Sequence, residues 1–484
     1  LTEQIINRLK KYFGDKVGVY HSRYSDMERV EIWNQVLDFE KTKSSKYQVV
    51  IGSRSSILLP FSDLGLVIVD EEHDTSFKQV EPAPRYNARD LAIILAKMHG
   101  ADVLLGSATP SFESYFNARQ GRYQLVTLSE RYGGVQMPEI IVDDMRVERR
   151  RKLSKANFGS VLVDAVNNTL AEKNQVILFQ NRRGFSLRLE CGVCNWIPQC
   201  INCDVSMTYH KSQNVLKCHY CGYTMSVPGE CPSCHSTDVK MKGFGTERVE
   251  EDLNVIFPQA RCARLDLDTT RSKNSYQSIF EQFKNRETDI LVGTQMVTKG
   301  LDFDHVKTVG ILDADSMLSF PDFRAFERGF QLMEQVSGRA GRKGERGKVV
   351  IQTMQPTHPV ILNVVRHDYV RFYEEQMPIR RQFGYPPYFR LILIRLKHAD
   401  YDKLNVAADS FVKQLRPVFR QNLLGPEYPV VARIKNQYIK QVLIKIDRNS
   451  NTLKVKEIIK KNIDIFKHIP DFKSVTVNVD VDPI

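Results

Sequence analysis

Nine cysteines occur in 484 residues, and eight of them fall in one stretch between Cys191 and Cys234. They stand as four Cys-x-x-Cys knuckles, Cys191/Cys194, Cys200/Cys203, Cys218/Cys221 and Cys231/Cys234. Two thiolates at this spacing grip a tetrahedral ion from one side, so two knuckles complete a four-sulfur shell and four knuckles make two shells. Nothing in the chain reads as a signal peptide, and only Cys262 lies outside the block. The pattern therefore points to two structural Zn2+ ions rather than a disulfide framework. Each closed shell is worth about 10–16 kcal/mol of folding free energy.

Chain geometry bears on which knuckles share an ion. Five residues separate the first and second knuckles, too few to turn back comfortably around one ion. The fourteen residues between the second and third, DVSMTYHKSQNVLK, are enough for a short hairpin. Cys200, Cys203, Cys218 and Cys221 then form an inner site, and Cys191, Cys194, Cys231 and Cys234 an outer one; a crossed arrangement is the alternative. His219 and His235 flank knuckles whose shells are already full, which makes them solvated bystanders. The thiol of Cys262, in a strand-like segment, reads as core.

The length suits about three domains, and 42% hydrophobic with 26% charged residues is ordinary globular composition. A net charge of +12 suits a polyanionic partner. No apolar run reaches the length of a membrane span, so the expected compartment is the cytoplasm and no membrane partner is expected. The first residue is Leu1, and LTEQIINRLKKYF already has helical periodicity with Ile5, Ile6, Leu9, Tyr12 and Phe13 on one face. A segment upstream is expected.

Apolar strands at 17–22, 47–55, 64–73 and 101–109 alternate with helical stretches such as 88–100, which Gly100 stops. Near-continuous apolar strands of this kind predict a parallel sheet covered on both faces, with function at the carboxyl ends of its strands. Asp70-Glu71-Glu72-His73 falls at such an end. An acid pair there holds Mg2+ and orients a water in nucleoside triphosphatases, Asp70 in the metal shell and Glu71 as base. Two acids capping a strand are by themselves often a solvated turn, but Gly106-Ser107-Ala108-Thr109 ends the neighbouring strand and brings hydroxyls beside them. Residues 74–90 mix Phe77, Lys78, Arg85, Tyr86 and Arg89, a combination suited to stacking on unpaired bases while holding phosphates, or to a surface loop with tucked aromatics.

Residues 134–158 turn polar and charged and read as a linker. A second sheet follows, with strands at 175–185, 260–270, 289–295, 308–316 and 347–354 and helices at 273–285 and 323–338. Two stretches in it carry chemistry. Gly293-Thr294-Gln295-Met296-Val297-Thr298-Lys299-Gly300 offers backbone N–H groups, hydroxyls and an amine at a strand end. Gln335-Val336-Ser337-Gly338-Arg339-Ala340-Gly341-Arg342 ends a helix with two guanidinium forks suited to phosphate. An arginine supplied to a γ-phosphate is worth about 10³–10⁵ in rate.

Taken together, DEEH, GSAT, GTQMVTKG and QVSGRAGR resemble motifs II, III, V and VI of superfamily 2 helicases. The cysteine block after an NRRG turn narrows the resemblance to the primosomal protein N′ (PriA) family of bacterial replication-restart helicases. GSRSSILLPF, FGTERVEEDL, QFGYPPY and the ending VDVDPI agree with it, across essentially the whole of residues 1–484. The resemblance implies an α/β fold of two RecA-like parallel-sheet lobes, with a Cys-rich two-zinc insertion in the second lobe and an α+β C-terminal domain. The expected boundaries are 1–133 for the C-terminal part of lobe 1, 134–158 for a linker, 159–376 for lobe 2 with the insertion at 188–242, and 377–484 for the C-terminal domain.

The same resemblance implies ATP-driven 3′→5′ unwinding of branched DNA at stalled forks and primosome assembly there, with ATP and Mg2+ beside the two Zn2+, and it implies the nested zinc pairing. Asp70, Glu71, Arg339 and Arg342 are the implied catalytic residues, Arg342 being the arginine finger. Glu72, His73, Ser107, Thr109, Gly300 and Gln335 are the implied nucleotide and coupling residues. Arg54, Phe77, Lys78, Arg85, Tyr86, Arg89, Thr294, Gln295 and Lys299 are the implied DNA contacts. Pro84 precedes Arg85-Tyr86 where some relatives carry tryptophan, so base stacking rests on Phe77 and Tyr86. Implied partners are forked and single-stranded DNA, single-stranded-DNA-binding protein, primosome proteins and the replicative-helicase loader. ARIKNQYIKQ (432–441) is the basic-aromatic candidate for such contacts in the C-terminal domain.

The sequence contains no G-x-x-x-x-G-K-S/T loop, the phosphate cradle of these enzymes. The chain is thus expected to be roughly two-thirds of a longer protein, starting inside the first lobe after a 3′-end-binding and a winged-helix domain, and to hydrolyse ATP poorly or not at all alone. Another superfamily 2 translocase, or a non-catalytic zinc-dependent DNA scaffold for primosome proteins, are the competing expectations.

Overall fold

The computed structural model describes residues 3–21, 24–42, 46–181, 188–194, 196–203, 205–210, 213–242, 246–265, 273–297, 303–341 and 346–484. The chain divides into two compact units, residues 1–123 with 483–484, and residues 124–482.

In the first unit the order is α1 (Glu3–Phe13), β1 (Val17–Tyr20), α2 (Asp26–Thr42), β2 (Val49–Gly52), β3 (Leu66–Asp70), α3 (Ala88–His99), β4 (Asp102–Gly106) and α4 (Phe112–Arg119). β1 pairs with β2 and β3 with β4, both in parallel. Helix α3 has ends that the sequence dictates. The Asn87 side chain caps its first turn by accepting from Arg89 N, and Gly100 takes the left-handed conformation that closes it. Its Ala88, Ala92 and Ala96 are buried, small enough to let it lie close. The expectation of a strand buried on both faces at 64–73 is corrected here. Leu66, Ile68 and Leu104 are 53%, 62% and 55% exposed, while Val69 on the opposite face is buried. Side chains alternate across a strand, and among the described residues one face of β3 and β4 is covered and the other open.

In the second unit come β5 (Glu139–Asp144), α5 (Met145–Arg150), α6 (Ser160–Ala171), β6 (Gln175–Gln180), β7 (Arg188–Cys191), β8 (Thr208–His210), β9 (Val215–Lys217), β10 (Thr224–Ser226), β11 (Val239–Lys242), α7 (Thr246–Ile256), β12 (Cys262–Leu265), α8 (Lys273–Lys284), β13 (Ile290–Gly293), β14 (Val306–Leu312), α9 (Ala314–Leu318), α10 (Ala325–Ser337), β15 (Lys348–Thr353), α11 (Pro359–Val365) and α12 (Tyr369–Gln382). Six of these strands form one parallel sheet in the order β12-β13-β6-β14-β15-β5. Every residue of β6 is buried, as a central strand with helices on both faces requires. Leu162, Val166, Val176, Leu178, Val249, Leu253 and Val292 belong to one of its cores, against which Cys262 packs. This is the RecA-like lobe that the motifs imply.

Residues 134–158 are not a linker. β5 pairs with β15 along six residues and is an edge of the lobe sheet, and Met145 and Phe158 are 5% and 1% exposed. The charged run 146–152 hid this, because an edge strand needs only a few apolar residues and here takes Ile140, Ile141 and Val142. The cysteine block leaves the lobe through β7 and returns through β11, which pair antiparallel at the root of the insertion.

The last part of the unit is an antiparallel sheet. β16 (Phe389–His398) lies between β19 (Gln437–Asp447) and β20 (Thr476–Val481), while β17 (Leu423–Glu427) and β18 (Arg433–Ile434) pair with β19. Helices α13 (Tyr401–Phe419) and α14 (Thr452–His468) pack on one face through Phe411, Leu415, Ile459 and Phe466. The chain is α/β with an α+β end, as expected. Among the described residues no helix is long and apolar enough to cross a membrane.

Candidate active site and metal centres

The parallel pairing of β3 with β4 sets Asp70 opposite Gly106, and Glu72 N continues the ladder by donating to Gly106 O at 3.1 Å. The acidic turn and the hydroxyl turn are therefore neighbours because their strands are. Glu71 holds φ 50°, a left-handed conformation unusual for a residue with a side chain, and strain of this kind collects at functional sites. Asp70 is exposed, with Oδ1 accepting from Glu71 N at 3.0 Å, and Glu71 is 44% exposed at the side chain. Both carboxylates are accessible and suited to a hard cation with oxygen ligands.

His73 joins the two turns. Its Nδ1 lies 2.7 Å from Ser107 Oγ and 3.6 Å from Glu71 Oε2, and Ser107 Oγ accepts from Thr109 N at 3.0 Å. Glu72 turns the other way. It is 2% exposed and accepts from Ser111 N (2.6 Å), Ser111 Oγ (3.0 Å), Ser114 Oγ (2.8 Å) and Arg89 Nη1 (3.0 Å). Ser111 and Ser114 are residues that the motif reading missed. Their signal was the short cap pattern Ser-Phe-Glu-Ser at the start of α4, where Ser111 caps Ser114 N.

The loop after the acids is pinned from inside. Arg54 Nη1 donates to Ser76 O and Lys78 O, and Lys78 Nζ donates to Arg85 O at 3.0 Å. Gln79 N donates to Tyr86 O, and a bridge joins Lys78 to Asn87. Residues 81–84 are exposed at the tip, with Phe77, Arg85 and Tyr86 half-buried beside it. Of the basic residues expected to meet DNA, Lys78 is 4% exposed, and Arg89 is committed to Glu72 and Asp90 with its side chain 13% exposed. These two hold the loop and the lobe together, and Arg85 and Tyr86 lie nearer solvent.

In the second unit Thr294 and Gln295 follow β13 and are half-buried, with Thr294 N donating to Leu265 O. Gly293 is needed there, since a Cβ would stand 2.2 Å from Val297 Cγ1. Gln335 lies on α10, and Arg339 follows it; both are half-buried. Helix α10 is held along its length by the Glu327–Arg380 pair (2.8 Å), Phe330 stacked on Phe372 (4.5 Å) and Glu334 against His367 Nδ1 (2.9 Å). Thr298, Lys299, Gly300 and Arg342, with the NRRG turn after Asn181, lie outside the described residues.

All eight knuckle thiols are free of disulfides and converge in two groups, Cys191, Cys194, Cys231 and Cys234, and Cys200, Cys203, Cys218 and Cys221, with sulfurs in each group within 4.8 Å of one another. The nested pairing is what the fold contains. The hairpin of β8 and β9 makes the inner group, and sulfur contacts of 3.5 Å occur in both. Four bonds of about 2.3 Å to one tetrahedral ion put sulfurs roughly 3.8 Å apart, so both groups fit Zn2+. In the inner group the hydrogen bond from Cys203 lowers the pKa of the Cys200 thiol, while that with Cys200 raises that of the Cys218 thiol. Only a cation allows all four sulfurs to be anionic together. The expectation that His219 is solvated is corrected. It is 5% exposed, and its Nδ1 donates to Tyr428 O at 2.6 Å, so it is a tether rather than a ligand or bystander. His235 is open to solvent, with its side chain 78% exposed.

Four family models match the chain: DEAD/DEAH box helicase at residues 1–117, the PriA DNA helicase Cys-rich region domain at 200–225, the helicase conserved C-terminal domain at 230–344 and the primosomal protein N C-terminal domain at 381–484. The replication restart protein PriA of Rickettsia felis is 36% identical over 482 residues, 99% of this chain and 72% of that protein. The chain belongs to the PriA family. PriA of Bacillus subtilis is 41% identical over all of this chain and 59% of its own length, and PriA of Synechocystis is 40% identical over all of it and 58% of its own. The chain thus spans about three fifths of the length of those two relatives. Within the PriA frame the Cys-rich match holds the four inner ligands, while Cys231 and Cys234 fall in the helicase C-terminal match.

Proposed function

We propose that the protein containing this chain is an ATP-dependent 3′→5′ DNA helicase that acts at stalled or branched replication forks and restarts replication by primosome assembly, in the nucleoid-associated cytoplasm. The observation that carries the reading is the joining, in one PriA-family chain, of the His73–Ser107 contact between the acidic and hydroxyl turns with two four-cysteine sites inserted in a RecA-like lobe. Bound ATP with Mg2+ would supply a phosphoanhydride whose hydrolysis drives movement. Asp70 would hold the Mg2+ shell and Glu71 would take a proton from the attacking water. Arg339 and Arg342 would face the phosphates, with Gly300 and Gln335 beside the nucleotide. Glu72 would hold the acidic turn in place through Ser111, and His73 would pass its state to Ser107 and Thr109.

DNA would meet Phe77, Arg85 and Tyr86 in lobe 1, on a loop that Arg54, Lys78 and Arg89 hold in shape from inside, and Thr294, Gln295 and Lys299 in lobe 2. In the C-terminal domain residues 432–441 would add a basic-aromatic contact, where Arg433 sits 4.8 Å over the Tyr438 ring. Single-stranded-DNA-binding protein, primosome proteins and the loader of the replicative helicase are the proposed protein partners.

The test is ATP hydrolysis by the intact gene product on forked and on linear DNA. We expect stimulation that is greater with the fork and falls by at least about 10²-fold in Glu71→Gln. Zinc-loaded, folded protein with no hydrolysis on either DNA would overturn the motor and leave a DNA-binding scaffold; equal stimulation by RNA would point to a different translocase.

A further inference from the structure

The two cysteine sites have the same ligands and different surroundings. At the outer site Cys194 and Cys234 are partly open, and Val193 between the ligands is 54% exposed. The inner site is embedded except at Cys221, which is half-buried. Cys200, Cys203 and Cys218 are at most 3% exposed and share one apolar cluster with Tyr385, Leu391, Leu393 and Leu443 of the C-terminal part of the chain.

The C-terminal sheet explains why. In β16 the side chains of Ile392, Ile394 and Leu396 enter the core under α13 and α14, and the alternate residues Leu391 and Leu393 point to the other face. In β19 Val442, Ile444 and Ile446 enter that core, and Leu443 points away with Gln441 and Lys445. A sheet with helices on one face only carries polar residues on its second face. This one carries leucines, and the zinc knuckles cover them.

Polar contacts fix the register of the cover. Tyr385 Oη donates to Cys203 O at 2.6 Å, Gln441 Nε2 to His219 O at 2.8 Å and His219 Nδ1 to Tyr428 O at 2.6 Å. Lys217 pairs with Glu427 at 2.6 Å. Each reaches the knuckle backbone or the hairpin between the inner ligands, so their positions depend on how those ligands are held. The Tyr385 ring, stacked 4.3 Å from Phe323 just ahead of α10, ties the same point to lobe 2.

We propose that the inner zinc site is the fastener that docks the C-terminal domain on lobe 2, and that the outer site has no part in docking. An ion that organises the hairpin builds the surface on which Leu391, Leu393 and Leu443 are buried. Linkage makes the effect reciprocal, so a weakened interface must also loosen the inner ion.

The experiment uses the full chain with both zincs loaded, and reads zinc content, amide hydrogen exchange at 389–393 and 439–445, and zinc release to a chelator. In Cys218→Ser we expect the loss of one zinc and at least tenfold faster exchange in both segments. In Cys234→Ser we expect the loss of one zinc with exchange there unchanged. Leu443→Ala keeps every ligand, and should speed release of one of the two ions several-fold while leaving the other alone. Unchanged exchange in Cys218→Ser, equal acceleration in Cys234→Ser, or release of both ions at wild-type rates in Leu443→Ala would each overturn the proposal. None of these readouts depends on helicase activity.

Discussion

Glu72 and Glu71 are adjacent acids with opposite fates, and the difference lies in which neighbours the fold brings to each. Glu72 is buried and takes four hydrogen bonds, one of them from Arg89. A buried carboxylate is tolerable only when so paired, and removing it strands the guanidinium. Glu72→Ala should therefore destabilise the first unit by about 3–5 kcal/mol, seen as loss of exchange protection in residues 66–119, whereas Glu71→Gln at a half-exposed position should cost less than about 1 kcal/mol. Local sequence does not separate these two acids, since both follow the same strand.

His367 gives a pH-dependent counterpart. Burial opposes its charged form, but the hydrogen bond and charge of Glu334 outweigh burial and raise its pKa above the usual value. A raised pKa in the folded state means that the pair stabilises fully below the unfolded value near 6.5, and that this contribution is lost as pH rises through the folded value. Denaturation midpoints taken on both sides of that window should fall with rising pH in the wild type, and the fall should shrink in His367→Gln.

At the scale of elements, α10 leads into the arginine motif and is held by α12. Arg380 and Glu327 are 2% and 4% exposed and meet at 2.8 Å, with Arg380 also donating to Pro386 O. Breaking one side leaves a buried charge, so Arg380→Met or Glu327→Gln alone should cost about 3–5 kcal/mol in urea unfolding, while the double variant should cost less than either. An additive cycle would mean that the pair is not coupled. The central strands of the second lobe were legible in the sequence because central parallel strands are continuous apolar runs, and so were α8 and α10, whereas α6, α7, α9, α11 and α12 were not read from it. β5 was not, since three apolar residues between acids and arginines look like linker until β15 pairs with them. The half-open strand β3 failed in the opposite sense, because an apolar run does not say whether both of its faces are covered.

For the molecule as a whole, a net charge of +12 and a proposed path over fork DNA imply binding dominated by phosphate contacts. Fork affinity should fall by at least about 10³-fold between 50 and 200 mM salt if six or more phosphates are neutralised, measured by fluorescence anisotropy. A flat salt response would argue against that path. The spacing of the eight cysteines was enough, by itself, to point to metal, because ligand spacing within a knuckle is a local property that the chain carries wherever it folds. Motif order pointed to the family for the same reason. Which acid faces solvent, that His219 is a tether, that 134–158 belongs to the sheet and that leucines on the second face of the C-terminal sheet are covered by zinc knuckles came only from tertiary structure. Each of these depends on a partner far away in the chain, such as Ser111 for Glu72, Tyr428 for His219, Lys348–Thr353 for β5 and the Cys200–Cys221 hairpin for Leu443, and no local pattern encodes a distant partner.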